Sequence, residues 1–175
     1  DINFKFWEEQ ILITLLLVTG CSKNVGTENN KQFNTSPTFS MPVTFGDGTK
    51  GEYILIGQKN KVAFQVGSGP IGKAEVLQIV EGKKDKYMWY FWGSEDKLQG
   101  KLKVKGIHES GYIDTIFTSS INVGSGMNGA DGTMPSNMKF SKSGKWKLDV
   151  YIGKNVVGTI VIDVEKNDWM NSLVK

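Results

Sequence analysis

The segment from Trp146 to Val164 constrains the fold of this chain more than any other. Trp146, Leu148, Val150 and Ile152 alternate with Lys147, Asp149 and Tyr151. Gly153-Lys154-Asn155 then turns the chain, and Val156 to Val164 returns with Ile160, Ile162 and Val164 in phase. An apolar period of two puts one side of each strand in a core and the other in water. Two such strands joined by a short Gly- and Asn-containing turn are a β-hairpin.

The same rhythm is found upstream. Phe39, Met41, Val43 and Phe45 alternate before Gly46-Asp47-Gly48, and Tyr53 to Ile56 and Val62 to Val66 flank the turn-rich Gly57 to Lys61. Ala74 to Val80, Tyr87 to Trp92, Leu98 to Val104 and Tyr112 to Val123 follow, each bounded by Gly, Asn or Lys clusters. Turn signals at roughly 8–12-residue spacing predict an all-β, antiparallel sandwich of about 7–9 strands. Only Asn167 to Val174 has a helical look, with Asp168 at its cap and Trp169 and Leu173 on one side.

The N-terminal part obeys a different logic. Ile11 to Gly20 is apolar and too short to cross a bilayer, which takes about 20 apolar residues. It closes as Leu15-Leu16-Leu17-Val18-Thr19-Gly20-Cys21, on the one cysteine of the chain. This run resembles the lipobox of bacterial lipoproteins. The resemblance implies that the signal is cut before Cys21, that the Cys21 thiol carries a diacylglyceryl group, and that the new N-terminus is tethered to a membrane. A buried strand or helix followed by an incidental cysteine is the plainer reading. It leaves unexplained why apolar length, small residues and cysteine coincide. Ser22 to Pro37 is polar, Asn/Thr/Ser-rich and without periodicity, as a flexible tether is. The expected organisation is a signal segment over 1–20, a lipidated tether over 21–37, a β-sandwich over 38–166 and a tail over 167–175.

Charge narrows the partners. Residues 1–20 hold one of the 21 basic residues and three of the 18 acids, so the remainder carries 20 lysines against 15 acids, a net +5. Arginine is absent from the sequence. The guanidinium fork is the favoured reader of bases and phosphates, so nucleic acid is not an expected partner. A lysine surface suits loose attraction to anionic lipid head groups or wall polymers.

A second resemblance rests on Phe140-Ser141-Lys142-Ser143-Gly144-Lys145-Trp146-Lys147-Leu148-Asp149-Val150-Tyr151-Ile152, followed by Gly158-Thr159-Ile160-Val161-Ile162-Asp163-Val164. These segments look like the closing hairpin of bacterial immunoglobulin-like domains. With the lipobox and tether, the chain is similar to small bacillus-type surface lipoproteins that carry an immunoglobulin-like domain of unknown function. That resemblance implies location and architecture and brings no catalytic residues. With a single cysteine, the core must pack without the inter-sheet disulfide of antibody domains.

The candidate sites are few. In Tyr87-Met88-Trp89-Tyr90-Phe91-Trp92, parity puts Tyr87, Trp89 and Phe91 on one face and Met88, Tyr90 and Trp92 on the other. One set fills the core. The other is either covered by a loop or tether, or forms an aromatic platform for a glycan or peptide. Gly124 to Asn137 reads as a long loop, either a plain crossover or a ligand contact. Asn128, Asp131 and Thr133 supply oxygen atoms there, but with one carboxylate and no EF-hand spacing calcium is not expected. Tyr87, Trp89, Tyr90, Trp92, Asn128 and Asp131 are therefore the candidate ligand-binding residues, and Cys21 the lipid attachment site. His108 reads as a solvated loop residue without a metal partner. Lys101, Lys103 and Lys105 read as guards of an edge strand, with contact to anionic lipid or a teichoic-type polymer as the other reading. No metal-ligand spacing, nucleophile elbow, phosphate loop or dinucleotide motif occurs, and the acid pairs Glu95/Asp96 and Asp163/Glu165 fall in a turn and near the chain's end.

These features point to a lipid-anchored module on the outer face of the cytoplasmic membrane of a Gram-positive cell. Its partners would be the membrane, through the N-terminal lipid, and a wall polymer or envelope protein. Neither catalysis nor a cofactor nor a metal is expected. The other reading is a structural or envelope-stress accessory protein without a small ligand.

Overall fold

The computed structural model describes residues 33–168. The signal segment, Cys21 and most of the tether lie outside these residues, as does the expected C-terminal helix apart from Asn167 and Asp168. Eleven strands form two antiparallel sheets: β1 (Thr38–Thr44), β2 (Lys50–Gln58), β3 (Val62–Pro70), β4 (Glu75–Val76), β5 (Lys84–Phe91), β6 (Lys101–His108), β7 (Ile113–Asn122), β8 (Gly124–Ser125), β9 (Gly132–Lys139), β10 (Gly144–Ile152) and β11 (Asn155–Val164). A four-residue helix, α1 (Glu95–Leu98), links β5 to β6. The larger sheet runs β1-β2-β3-β5-β9-β8 with β4 beside β3; the smaller runs β11-β10-β6-β7.

The core lies between the sheets and follows strand parity. From the larger sheet come Phe64, Trp89, Phe91, Met134 and Met138; from the smaller come Leu102, Val104, Trp146, Leu148, Val150, Ile152, Ile160 and Ile162. The β10–β11 hairpin pairs Trp146 with Ile162 and Leu148 with Ile160, with a register shift between Val150 and Tyr151. Each indole inside has a partner for its N–H: Trp146 donates to the Lys142 carbonyl at 2.9 Å, and Trp89 to the Ser136 hydroxyl at 3.0 Å. Unpaired, each would carry the desolvation cost of a buried donor.

Two strands were hidden in the stretch expected to be a long loop, Gly124 to Asn137. Gly124–Ser125 is β8 and Gly132–Lys139 is β9, which pairs with β5 along its length. Its inward positions, Met134, Ser136 and Met138, keep the period of two, but serine in the middle breaks the apolar signal. Pro135 sits opposite Met88. Because the Trp92 amide donates to Lys61 of the β3 side, the even positions of β5 point their amides away from β9. Met88 and Pro135 are thus a non-hydrogen-bonded pair, where the missing N–H of proline costs no bond to β5.

Three other expectations are corrected. Ala74 to Val80 yields only the two-residue β4. Lys101, Lys103 and Lys105 do point away from the core, but β6 lies between β10 and β7 and is not an edge. Alternation reports which face a residue takes and says nothing of the strand's neighbours. Two of the true edges are guarded otherwise: Pro42 lies in edge strand β1, and Ser36 covers β11. There the Ser36 amide donates to the Val161 carbonyl at 2.8 Å, and the Val161 amide donates to the Ser36 hydroxyl at 2.9 Å.

His108, expected in solvent, is buried at 7% exposure at the end of β6. Its Nδ1 accepts the Ser110 amide at 3.1 Å, so its Nε2–H is the donor to the Ser143 carbonyl at 2.8 Å. Its ring lies edge-on to Trp146, with centroids 5.1 Å apart. It is a fastener between the β6–β7 turn and the start of β10.

Candidate functional site: the outer face of the larger sheet

The aromatic strand β5 divides by parity. Tyr87, Trp89 and Phe91 belong to the inter-sheet core, and Phe64 packs on both Tyr87 and Trp89, at 5.4 and 4.9 Å between centroids. Trp89 is fully buried and Tyr87 retains 8% exposure, so these two candidates are not free to meet a ligand. Burial, helped by the charge of Asp85, pushes the Tyr87 phenol up to about 12.

Met88, Tyr90 and Trp92 point the other way, into a second apolar cluster on the far side of the sheet. Met41, Val43, Leu55, Ala63 and Tyr90 are buried there; Phe39, Phe45, Tyr53, Met88, Trp92 and Ala130 are half-buried. The pairing explains the cluster. Ala63 stands opposite Tyr90, and its methyl leaves room for the larger ring, which is near enough to Tyr53 to feel its charge. Phe45 and Tyr53 rings meet at 6.1 Å, and Tyr90 and Trp92 stack at 6.5 Å.

The β8–β9 turn closes one end of this face. The Ala130 amide donates to the Met127 carbonyl at 3.1 Å, and Asn128 and Gly129 between them have φ of 55° and 85°. This is the type I′ geometry that Asn-Gly pairs favour. Gly126 lies so close under the Ala130 carbonyl that a side chain would collide with it. Held this way, the turn offers Gly129 as acceptor for the Trp92 indole N–H at 2.8 Å, and Asp131 as acceptor for the Gly93 amide at 2.8 Å. The Asp131 amide donates to the Phe91 carbonyl at 2.9 Å. Burial first and Tyr53 second push the Tyr90 phenol up to about 12, against the opposing pull of the Asn128 side chain.

Four of the six candidates therefore come together. Tyr90 and Trp92 from the strand meet Asn128 and Asp131 from the turn, although the segments are some forty residues apart. The contributions of β1, of the turn after it and of β2, namely Phe39, Phe45 and Tyr53, were missed as site residues. Their signal was the alternation of β1, a strand whose opposite side, Thr38, Ser40, Pro42 and Thr44, is wholly polar or proline.

Two grooves adjoin the face. One, of about 610 Å³, is lined by Gly93, Glu95, Leu98, Asn122, Ser125 and Asp131. The other, of about 550 Å³, opens where β3 leaves β5 after only three paired residues, between Leu77 and Met88. The oxygens weighed for calcium are turned to internal bonds: Asp131 to Gly93, and the Thr133 hydroxyl donating to the Ser125 carbonyl. Among the described residues no group of three or more His, Cys, Asp or Glu is placed to hold a metal.

Comparison with known proteins adds a family and a fold. The family model described as a domain of unknown function (DUF4871) matches residues 26–162. The fold resembles the crystal structure of a candidate lipoprotein from Bacillus anthracis, with a TM-score of 0.53, 19% sequence identity, and coverage of 76% of this chain and 86% of that one. At that identity the likeness concerns the fold. No curated protein is significantly similar to the chain.

Proposed function

From the premise that this chain belongs to the DUF4871 family, whose function is unknown, we propose that it is a lipid-anchored, extracytoplasmic binding module without catalytic activity. One observation carries the binding part. The larger sheet keeps a contiguous apolar and aromatic face on the side away from the core, and among the described residues no second sheet covers it. Its half-buried members, Phe39, Phe45, Tyr53, Met88 and Trp92, form a partly open apolar patch, and contiguous apolar patches left open on a surface mark interaction sites. Two features favour binding over chemistry: the acid beside the face, Asp131, is committed to the Gly93 amide, and the outer tyrosine, Tyr90, is held in its neutral form.

The anchor rests on Leu15 to Cys21, and the likeness to a candidate lipoprotein supports it. The immunoglobulin-like reading is supported by strand order. β3-β5-β9-β8 and β11-β10-β6-β7 follow the order A-B-E-D and G-F-C-C′, with β1 and β2 added outside the first strand. In that frame the aromatic face is the outer side of the A-B-E-D sheet, widened by two strands.

Cosedimentation of the full chain with purified Gram-positive cell walls tests the binding reading. Wild type should pellet, and Trp92→Ala together with Tyr53→Ala should lose most of that binding while the chain stays folded by circular dichroism. Equal pelleting of the double variant would discard the face. Detergent phase partition of the cell-derived protein tests the anchor: Cys21→Ser should move it from the detergent to the aqueous phase.

A further inference from the structure

The same face carries a feature that its aromatic end does not explain. Lys84 and Lys139 are register partners on β5 and β9, and Lys86 follows two residues on, opposite Asn137. By the parity that makes Met88–Pro135 a non-hydrogen-bonded pair, Lys84–Lys139 is one as well. Such pairs bring side chains closest, with Cα atoms about 4.5 Å apart, and like charges placed so are destabilising. No acid relieves them on their own strands. The outward positions of β5 are Lys84, Lys86, Met88 and Tyr90, and those of β9 are Thr133, Pro135, Asn137 and Lys139. The nearby acid, Asp85, points to the other side and pairs with Lys83 at 3.1 Å. All three lysines are exposed.

The smaller sheet's lysines make the contrast. Lys105 stands opposite Asp149, and Lys145 opposite Asp163. Lys101, Lys103 and Lys147 face no acid, but no two lysines of that sheet stand opposite one another, whereas the outer face of β5 and β9 pairs Lys84 with Lys139 and is cationic at one end and aromatic at the other. From Lys84 to Trp92 the strip runs about 26 Å, at about 3.3 Å per residue.

We infer that this strip takes a phosphodiester-linked polyol or sugar polymer, its phosphates at Lys84, Lys86 and Lys139 and its uncharged units along the half-buried Met88 and Trp92, with Tyr90 buried between them as their support. This rests on the binding reading of the face and names its ligand class. Lysine is a fitting point-charge partner for phosphate. Exposed ion pairs are individually weak, so a useful affinity needs several charges on one chain, which a repeating polyanion supplies. A bilayer surface fits less well. The rings lie flush with the sheet, Tyr90 at 1% exposure and Trp92 hydrogen-bonded to Gly129, and so offer little to insert.

The test is binding of the full chain to synthetic poly(glycerol phosphate), to a neutral dextran of the same length, and to phosphatidylglycerol vesicles. The variants are Lys84→Gln/Lys86→Gln/Lys139→Gln, and Lys101→Gln/Lys103→Gln/Lys105→Gln as a control on the other sheet. The first triple should weaken poly(glycerol phosphate) binding more than tenfold and the control less than twofold. Raising salt from 50 to 300 mM should weaken wild-type binding at least tenfold. Equal losses in the two triples would overturn the inference in favour of diffuse charge. Lysine-dependent binding to the vesicles alone would overturn it in favour of a membrane surface. Dextran binding that survives in the first triple and fails in Trp92→Ala would overturn the ligand class and leave the binding face standing. No binding of any probe by wild type would count against both.

Discussion

The two sides of β5 use the same chemistry to different ends. Inward, Tyr87, Trp89 and Phe91 are sealed by a second sheet, and the Trp89 N–H is satisfied by a side chain of the neighbouring strand. Outward, Met88 and Trp92 are covered only in part, Tyr90 is buried among its neighbours on that face, and the Trp92 N–H is satisfied by a six-residue turn. A sheet cannot leave without unfolding the molecule. A turn held by a few hydrogen bonds can shift, because segments with few buried apolar contacts open at low free-energy cost. The inner face therefore stores stability, and the outer face is built as an accessible surface with one adjustable rim.

The largest predicted contrast is between the two tryptophans. Trp89→Ala should cost about 3–5 kcal/mol in denaturant unfolding, the range for a fully buried aromatic. Trp92→Ala should cost about 1 kcal/mol, less than the lower end for a full side-chain burial. Similar losses would mean that the outer face is core.

Alkaline titration sharpens the comparison from another side. Tyr87 and Tyr90 both have folded-state values raised to about 12 from 10.0, one on each face. A raised phenol favours the neutral form in the fold. The stability it contributes is therefore complete below pH 10 and is lost as pH rises from 10 through 12. Ultraviolet difference spectra should show these two phenols ionising late, and melting temperature should fall across that window. In Asn128→Ala, which removes the polar side chain opposing the shift, Tyr90 should ionise later still.

Ser136→Ala leaves the Trp89 indole without its partner inside the core and should cost about 1–3 kcal/mol. The smallest effect is expected at the rim. Gly129 has φ of 85°, so Gly129→Ala should cost about 1 kcal/mol. It should also move the Trp92 indole resonance while leaving that of Trp89 in place.

Much of this arrangement could be read in advance, and the rest shows where sequence patterns run out. The β10–β11 hairpin was legible because Lys147 and Asp149 mark its wet side against Trp146, Leu148 and Val150. In β5 both sides are apolar, so parity separated Tyr87, Trp89 and Phe91 from Met88, Tyr90 and Trp92 but could not say which set faced inward. β9 was concealed by Ser136, a polar residue that turns inward because an indole N–H needs it. The Asn128-Gly129 pair was the available sign of a hairpin in that stretch. His108 gave no local sign, since its partners Ser143 and Trp146 are brought to it by the pairing of β10 with β6. Lys101, Lys103 and Lys105 reported their face correctly and their strand's place wrongly, because strand order is set by the whole sheet.

The most direct test of the outer face as a binding surface is the set of tryptophan indole resonances of the full chain during titration with solubilised Gram-positive wall fragments. The account predicts that the Trp92 indole and the Gly129 amide shift together and saturate, while the Trp89 and Trp146 indoles stay where they are. A titration in which Trp92 remains fixed, or in which Trp89 and Trp146 move as much as Trp92 does, would contradict it.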